Sequence, residues 1–232
     1  MLYNSLDYLI PLSILISLGA LMYIAIEGVI GVGKTSLARL LQPSFKANLL
    51  LEIFEENPFL QEFYQDRARY AFQTQIFFLL SRYRQQRNNV PALLQTGKHL
   101  LTDYTFEKDA LFANINIAGD ELDMYYSVHT ALAEKIPLPD LTVYLKASTD
   151  ILMQRITMRD RSYERSMEPG YINELNVAYD TFFNKPDENR KVLIIDTNDV
   201  DFVHKPTDLQ AIDNRIRQTL HMPPFQPSLP IE

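Results

Sequence analysis

Hydrophobic positions in this chain alternate between two patterns. Five short runs have apolar centres: Met22-Tyr-Ile-Ala-Ile26, Asn48-Leu-Leu-Leu-Glu52, His99-Leu-Leu-Thr-Asp103, Leu141-Thr-Val-Tyr-Leu145 and Lys191-Val-Leu-Ile-Ile195. Runs of this length without polar alternation predict strands buried on both faces, as in a parallel sheet. Between them lie stretches with helical spacing. The longest, 67–89, places Ala68, Ala71, Phe72, Ile76, Leu79, Leu80 and Tyr83 on one face, which keeps the 3.6-residue period. Shorter helices are expected from about 36 onward, from Pro58 through Tyr64, over 106–116 and 121–135 on either side of Gly119, over 170–184 and near 207–220. One more starts at Ser148 or Thr149, either of which can cap it. Strands that alternate with helices predict an α/β fold: a five-stranded parallel sheet covered by helices on both faces. No repeat and no linker divides it.

The first link from pattern to chemistry lies between the first strand and first helix. Gly28-Val-Ile-Gly31-Val-Gly33-Lys34-Thr35 is a complete G-x-x-x-x-G-K-[ST] loop in strand-loop-helix context. Its glycines let backbone N–H groups turn inward, and the helix N-terminus adds positive potential. Lys34 is expected on the β/γ-phosphates, and the Thr35 hydroxyl on Mg²⁺. Gly28, Gly31, Gly33, Lys34 and Thr35 are therefore candidate ATP-binding residues.

Strand ends form the ligand crevice of a parallel sheet, and two predicted strands end in acids. Beside bound ATP and Mg²⁺, a carboxylate such as Glu52 or Asp103 can serve as base for an acceptor hydroxyl or hold the metal. On the long helix Gln75 and Arg82 are seven residues apart and share a face with Phe78 between them. A base-reading pair and a solvated polar seam both fit that spacing. Arg155, Arg159, Arg161 and Arg165 are interleaved with Asp160 and Glu164. In a triphosphate-binding protein such a run is expected to form an arginine lid, since guanidinium groups clamp phosphates. The bland alternative is a solvated helix end with i,i+4 pairs.

Composition narrows the choices. With 232 residues, 47% of them hydrophobic, the chain suits one core. A net charge of −7 gives no basic footprint for nucleic acid. The lack of cysteine excludes disulfides and thiolate metal sites and is in keeping with a reducing cytoplasm. Tyr8 to Ile26 carries no charge, but residues 22–26 are needed as the first strand, and what precedes them is interrupted by Pro11, Ser13, Ser17 and Gly19. Residues 1–21 are read as an N-terminal extension, residues 22–232 as the domain, and a membrane tether is the alternative.

Taken together, these stretches resemble the deoxynucleoside kinase family, specifically its bacterial deoxyadenosine/deoxyguanosine kinase branch. The resemblance runs from Met22 to about Phe202. It is carried by Ile26-Glu-Gly-Val-Ile-Gly-Val-Gly-Lys-Thr35, Glu56-Asn-Pro-Phe-Leu60 with Phe63-Tyr64, Phe72-Gln-Thr-Gln75, Ser81-Arg82, Asp103-Tyr104 and Arg155-x3-Arg159-x-Arg161-x2-Glu164. It implies a P-loop kinase fold that uses ATP with Mg²⁺. By the same resemblance, Glu52 accepts the proton of the substrate 5′-hydroxyl, Tyr64 and Glu164 hold the sugar, and Gln75 reads the base with Arg82 and Asp109 behind it. Arg155, Arg159 and Arg161 contact the donor phosphates, and the Asp199–Phe202 loop packs on adenine. It also implies a homodimer. The chain departs from the family at Tyr104, where many members have an arginine.

A GTPase would need D-x-x-G, and no glycine here has an aspartate three positions earlier. Asn184-Lys-Pro-Asp187 mimics a guanine motif but follows a helix. A thymidylate-type monophosphate kinase needs extra cations for the acceptor phosphate. The acceptor candidates here, Glu52, Tyr64, Gln75 and Glu164, suit an uncharged nucleoside. The expectation is therefore 5′-phosphorylation of a deoxynucleoside, with purine preferred.

Overall fold

The computed structural model describes residues 20–225; most of the extension 1–21, and with it the tether alternative, lies outside them. The five strands form one all-parallel sheet in the order β2-β3-β1-β4-β5. They are β1 (Tyr23–Gly28), β2 (Asn48–Leu50), β3 (Leu100–Thr102), β4 (Leu141–Lys146) and β5 (Val192–Asp196). β1 is central and buried along its whole length. In register, Ile24 pairs with Leu101 of β3 and Leu141 of β4.

The helices are α1 (Lys34–Phe45), α2 (Leu60–Gln65), α3 (Arg67–Leu94), α4 (Lys108–Asn116), α5 (Gly119–Ala133), α6 (Thr149–Arg159), α7 (Pro169–Asn184) and α8 (Pro206–Thr219). Single 3₁₀ turns occupy Phe54–Glu56 and Ser162–Glu164. Side-chain alternation along β1 separates the two faces of the sheet. Ile24 and Ile26 join a core that includes Leu37 and Leu41 of α1 and Ile212 and Ile216 of α8. Tyr23 and Ala25 instead pack with Leu50, Leu100 and Val90 of α3. Among the described residues no helix is long and apolar enough to cross a membrane.

The predicted elements are all present, with several shifts of boundary; Gly119, expected between two helices, is the first residue of α5, which ends at Ala133. Strands β2 and β3 are short, so Glu52 lies two residues beyond β2 and Asp103 one beyond β3. The 58–64 helix begins at Leu60, after the 3₁₀ turn. The long helix runs past residue 89 and through Pro91. A proline inside a helix removes a single N–H bond, and here the packing of Val90, Leu93 and Leu94 onto the sheet keeps the helix going. The Asn184-Lys-Pro-Asp187 mimic is a helix end satisfied locally. Asn184 donates to the Asp180 carbonyl at 2.7 Å, and Asp187 accepts from the Asn189 amide at 2.9 Å.

Candidate active site

The glycine loop is shaped by close approaches. Gly28 has φ +147, and a Cβ there would stand 2.3 Å from the Leu145 carbonyl oxygen of β4, so no larger residue fits. Gly33, at φ +103, caps α1 and lies against the ring of Phe202. Lys34 turns back over the loop, donating to the carbonyls of Gly28 at 2.7 Å and Val29 at 3.3 Å. Burial lowers its pKa to about 8, and repulsion from Lys108 adds to this against the pull of Glu27, Glu52 and Asp103. The Thr35 hydroxyl donates to Asp103 Oδ2, and Asp103 Oδ1 accepts the Glu52 amide at 2.8 Å. These hard oxygens suit a magnesium ion that keeps water and phosphate oxygens in its shell. Among the described residues no group of three His, Cys, Asp or Glu could hold a metal unaided, and the Thr35–Asp103 pair fits a cation that arrives with a triphosphate.

On the acceptor side the Glu52 carboxylate is held at both oxygens. Arg82 Nε donates to Oε1 at 2.9 Å, its Nη2 reaches the same oxygen, and Lys108 Nζ donates to Oε2 at 2.7 Å. Burial alone would raise the pKa of Glu52. The charges and hydrogen bonds of Arg82 and Lys108 outweigh burial and hold it well below the usual carboxylate range. The Arg82 Nη1 group pairs with Asp109, which is fully buried behind it. Gln75 and Arg82 are 2% and 6% exposed, so their shared face is an interior one and no solvated seam. The Arg82 guanidinium lies 4.4 Å from the centroid of the Phe78 ring. Tyr64 stacks on Tyr163 with centroids 6.3 Å apart. Burial raises the pKa of Tyr64 far above its ordinary value, and Tyr171 and Glu164 add to this.

The arginine run divides in three. Arg155 donates to the Thr197 carbonyl at 2.8 Å and reaches the Val32 carbonyl of the glycine loop at 3.4 Å. Arg159 makes a bidentate pair with Glu164 at 2.7 and 2.6 Å, and Arg161 lies 4.3 Å over the Phe54 ring. Arg165 pairs with Asp160 at the surface, at 2.7 and 2.8 Å, which is the bland reading realised at one residue only.

A single cavity of 410 Å³ joins these parts. Gly31, Gly33, Lys34 and Thr35 line its glycine-loop end, Glu52, Tyr64, Gln75 and Arg82 the end expected to take the acceptor, and Arg159, Arg161 and Glu164 also line it. Gly28, Asp103, Asp109, Arg155 and Phe202 are not in the lining; they stand behind residues that are. Tyr104 is also outside it. Its ring is fully buried, and its hydroxyl donates to Gln85 Oε1 at 2.5 Å. Sequence reasoning missed Lys108, Arg39, Phe54 and Tyr163, which also line the cavity. The stretch Glu107-Lys108-Asp109 reads as a charged helix start, and nothing in its spacing marks the lysine.

The family model for deoxynucleoside kinase matches residues 24–221. A deoxyguanosine kinase of Bacillus subtilis (strain 168) is 32% identical over 201 residues, covering 85% of this chain and 97% of the relative. A deoxyadenosine kinase of Dictyostelium discoideum is 32% identical over 186 residues, covering 78% and 74%. Among solved structures, the deoxyadenosine kinase of M. mycoides with bound dCTP superposes with a TM-score of 0.73 at 25% identity, over 85% of this chain and all of that one. With matches of this extent laid over a glycine loop, a strand-end acid and a joined cavity, this chain belongs to the deoxynucleoside kinase family.

Proposed function

We propose that this kinase transfers the γ-phosphoryl group of ATP to the 5′-hydroxyl of a purine deoxynucleoside, with Glu52 as the base. The observation that carries the reading is the joined cavity, which has a phosphate loop at one end and the Glu52 carboxylate at the other. Arg82 fixes Glu52 through Oε1, and Oε2, which accepts from Lys108, is the oxygen we assign to the acceptor hydroxyl. A bound Mg²⁺, held through Thr35 and Asp103, would neutralise the β/γ-phosphates. Lys34 leaves its loop carbonyls for those phosphates, and Arg159 and Arg161 close over them. Arg155 and Phe202 support this end from outside the lining, Arg155 through the Val32 carbonyl and Phe202 through Gly33. Gln75 meets the base edge against Phe78, with the Arg82–Asp109 pair behind it, and Tyr64 with Glu164 takes the sugar. Proximity and charge neutralisation supply most of the acceleration.

The acceptor end favours a nucleoside over a monophosphate. Its cations Arg82 and Lys108 are both paired with Glu52 before substrate arrives. The purine preference is supported by relatives named as deoxyguanosine and deoxyadenosine kinases. By family likeness we further propose a homodimer, testable by light scattering, that works in the cytoplasm. The deciding experiment offers ATP and Mg²⁺ with each of four deoxynucleosides and four monophosphates. Fastest turnover of deoxyguanosine or deoxyadenosine is expected; turnover of monophosphates alone would overturn the reading.

A further inference from the structure

The two cations on Glu52 are not equivalent. Arg82 is locked from both sides, by Glu52 and by the fully buried Asp109. Lys108 has Glu52 as its only ion-pair partner among the described residues, at 2.7 Å, and its ammonium lies 5.8 Å from the Phe112 ring centroid. It projects from the first turn of α4 into the cavity that Lys34 enters from the loop. The two lysines are near enough for Lys108 to lower the proton affinity of Lys34. Two ammonium groups converging on one space repel each other, and a polyanion in that space turns the repulsion into a clamp. A carboxylate with one oxygen fully secured by Arg82 does not need Lys108 to hold it.

We propose that Lys108 is a catalytic residue of the transfer step, one that carries its charge from Glu52 to a non-bridging oxygen of the moving phosphoryl group. The idea rests on the function proposed above. The nucleoside 5′-hydroxyl gives its proton to Glu52 Oε2 and its oxygen forms the new bond to the γ-phosphorus. The bond from that phosphorus to the β,γ-bridging oxygen breaks, and its electron pair stays on ADP. As Glu52 becomes neutral it loses its hold on Lys108. The ammonium, still protonated, then faces the charge that spreads over the phosphoryl oxygens.

The test measures single-turnover transfer from ATP and from ATPγS in the full-length wild type, K108M and K108R, and ATP binding by each. Lys108→Met keeps the length and the contact with Phe112. It should slow transfer from ATP by roughly 10²-fold, as loss of a transition-state charge contact does, while ATP still binds. Sulfur at the γ position weakens the same contact, so K108M should slow transfer from ATPγS several-fold less. Lys108→Arg should retain most of the rate. Equal slowing with both donors would overturn the proposal, because a lysine that merely orients Glu52 predicts that result. So would wild-type speed in K108M. A wild type inactive on every deoxynucleoside would overturn the kinase reading and this proposal with it, whereas an active wild type beside an unaffected K108M would overturn this proposal alone.

Discussion

Glu52 is a carboxylate made unusually acidic by Arg82 and Lys108, and in the mechanism proposed above it accepts a proton. The two are compatible in that mechanism because Lys108, one of the two cations that acidify it, turns to the phosphoryl oxygens as the proton arrives, which raises the basicity of Glu52 at the step that needs it. Replacing Glu52 with Gln keeps the shape and one acceptor oxygen for Arg82 but removes the base. The expected outcome is a fall in kcat of roughly 10²- to 10⁴-fold, the range for loss of a general base, with ATP affinity within a few-fold of wild type by calorimetry. Gln75 presents a different case. It is almost fully buried on the cavity wall, and in the function proposed above it meets the base edge, where losing one partner of a buried hydrogen bond is costly. Gln75→Ala should reduce kcat/KM for the preferred nucleoside roughly ten- to hundredfold. Titration with each nucleoside would show the loss as weaker binding, with ATP binding unchanged.

Elements set how much of this was readable beforehand. The strands were legible because the three inner ones are buried on both faces and the two edge strands still carry short apolar runs. The glycine loop was legible because its backbone geometry permits few sequences; Gly28 has a β4 carbonyl where a side chain would begin. The span of α3 was only partly legible. Its apolar period fades near residue 89, and the reason it continues, Val90 packed on Tyr23, Ala25, Leu50 and Leu100, lies in strands distant in sequence. Lys108 was illegible for the same reason, since its partner Glu52 comes from another strand end. A third case is the end of α8, where the sequence predicted a helix near 207–220 but not the contacts of its last turn. There Arg217 pairs with Asp213 at 2.5 Å, donates to the Ser44 carbonyl at 2.8 Å and lies 4.3 Å over the Phe45 ring. Both side chains are 8% exposed. Removing one partner of a buried pair strands the other charge, so Arg217→Met should lower unfolding free energy by about 3 kcal/mol. Urea unfolding would measure this, and kcat, which depends on no atom of the clasp, should stay within twofold of wild type.

At the scale of the molecule, the strand order separates the two halves of the proposed reaction. With β1 central, β3 and β2 lie on one side and carry Asp103 and Glu52, followed by the acceptor helices. On the other side β4 and β5 lead to Arg155 and Phe202, the supports of the donor end. The glycine loop at the end of β1 is thus the seam where acceptor and donor meet. Elements this interlocked should unfold together, so titration of a few half-buried groups should appear in the stability of the whole chain. His99 and His129 are the groups to watch near neutral pH. His99 accepts the Met22 amide at 3.0 Å, a bond that requires an unprotonated Nδ1. His129 stacks 4.9 Å from the Phe106 ring. Burial lowers both pKa values below 6.5. The Arg217 charge adds to this at His99, and the backbone bond to Phe106 partly opposes it at His129. The sign follows directly. Below pH 6.5 the unfolded chain takes protons that the folded chain refuses, so stability falls as pH drops toward the folded-state values. Glu52 acts in the same direction lower down: its stabilising pairing is complete above its unfolded pKa of 4.5 and is lost as pH falls below that. Melting temperature should therefore be flat near pH 7.5 and decline from about pH 6.5 downward. His129→Phe keeps an aromatic ring beside Phe106 and removes one titrating site. Melting curves from pH 7.5 to 5.5 should show a shallower decline in that variant, and an unchanged slope would mean that His129 takes up no fewer protons folded than unfolded.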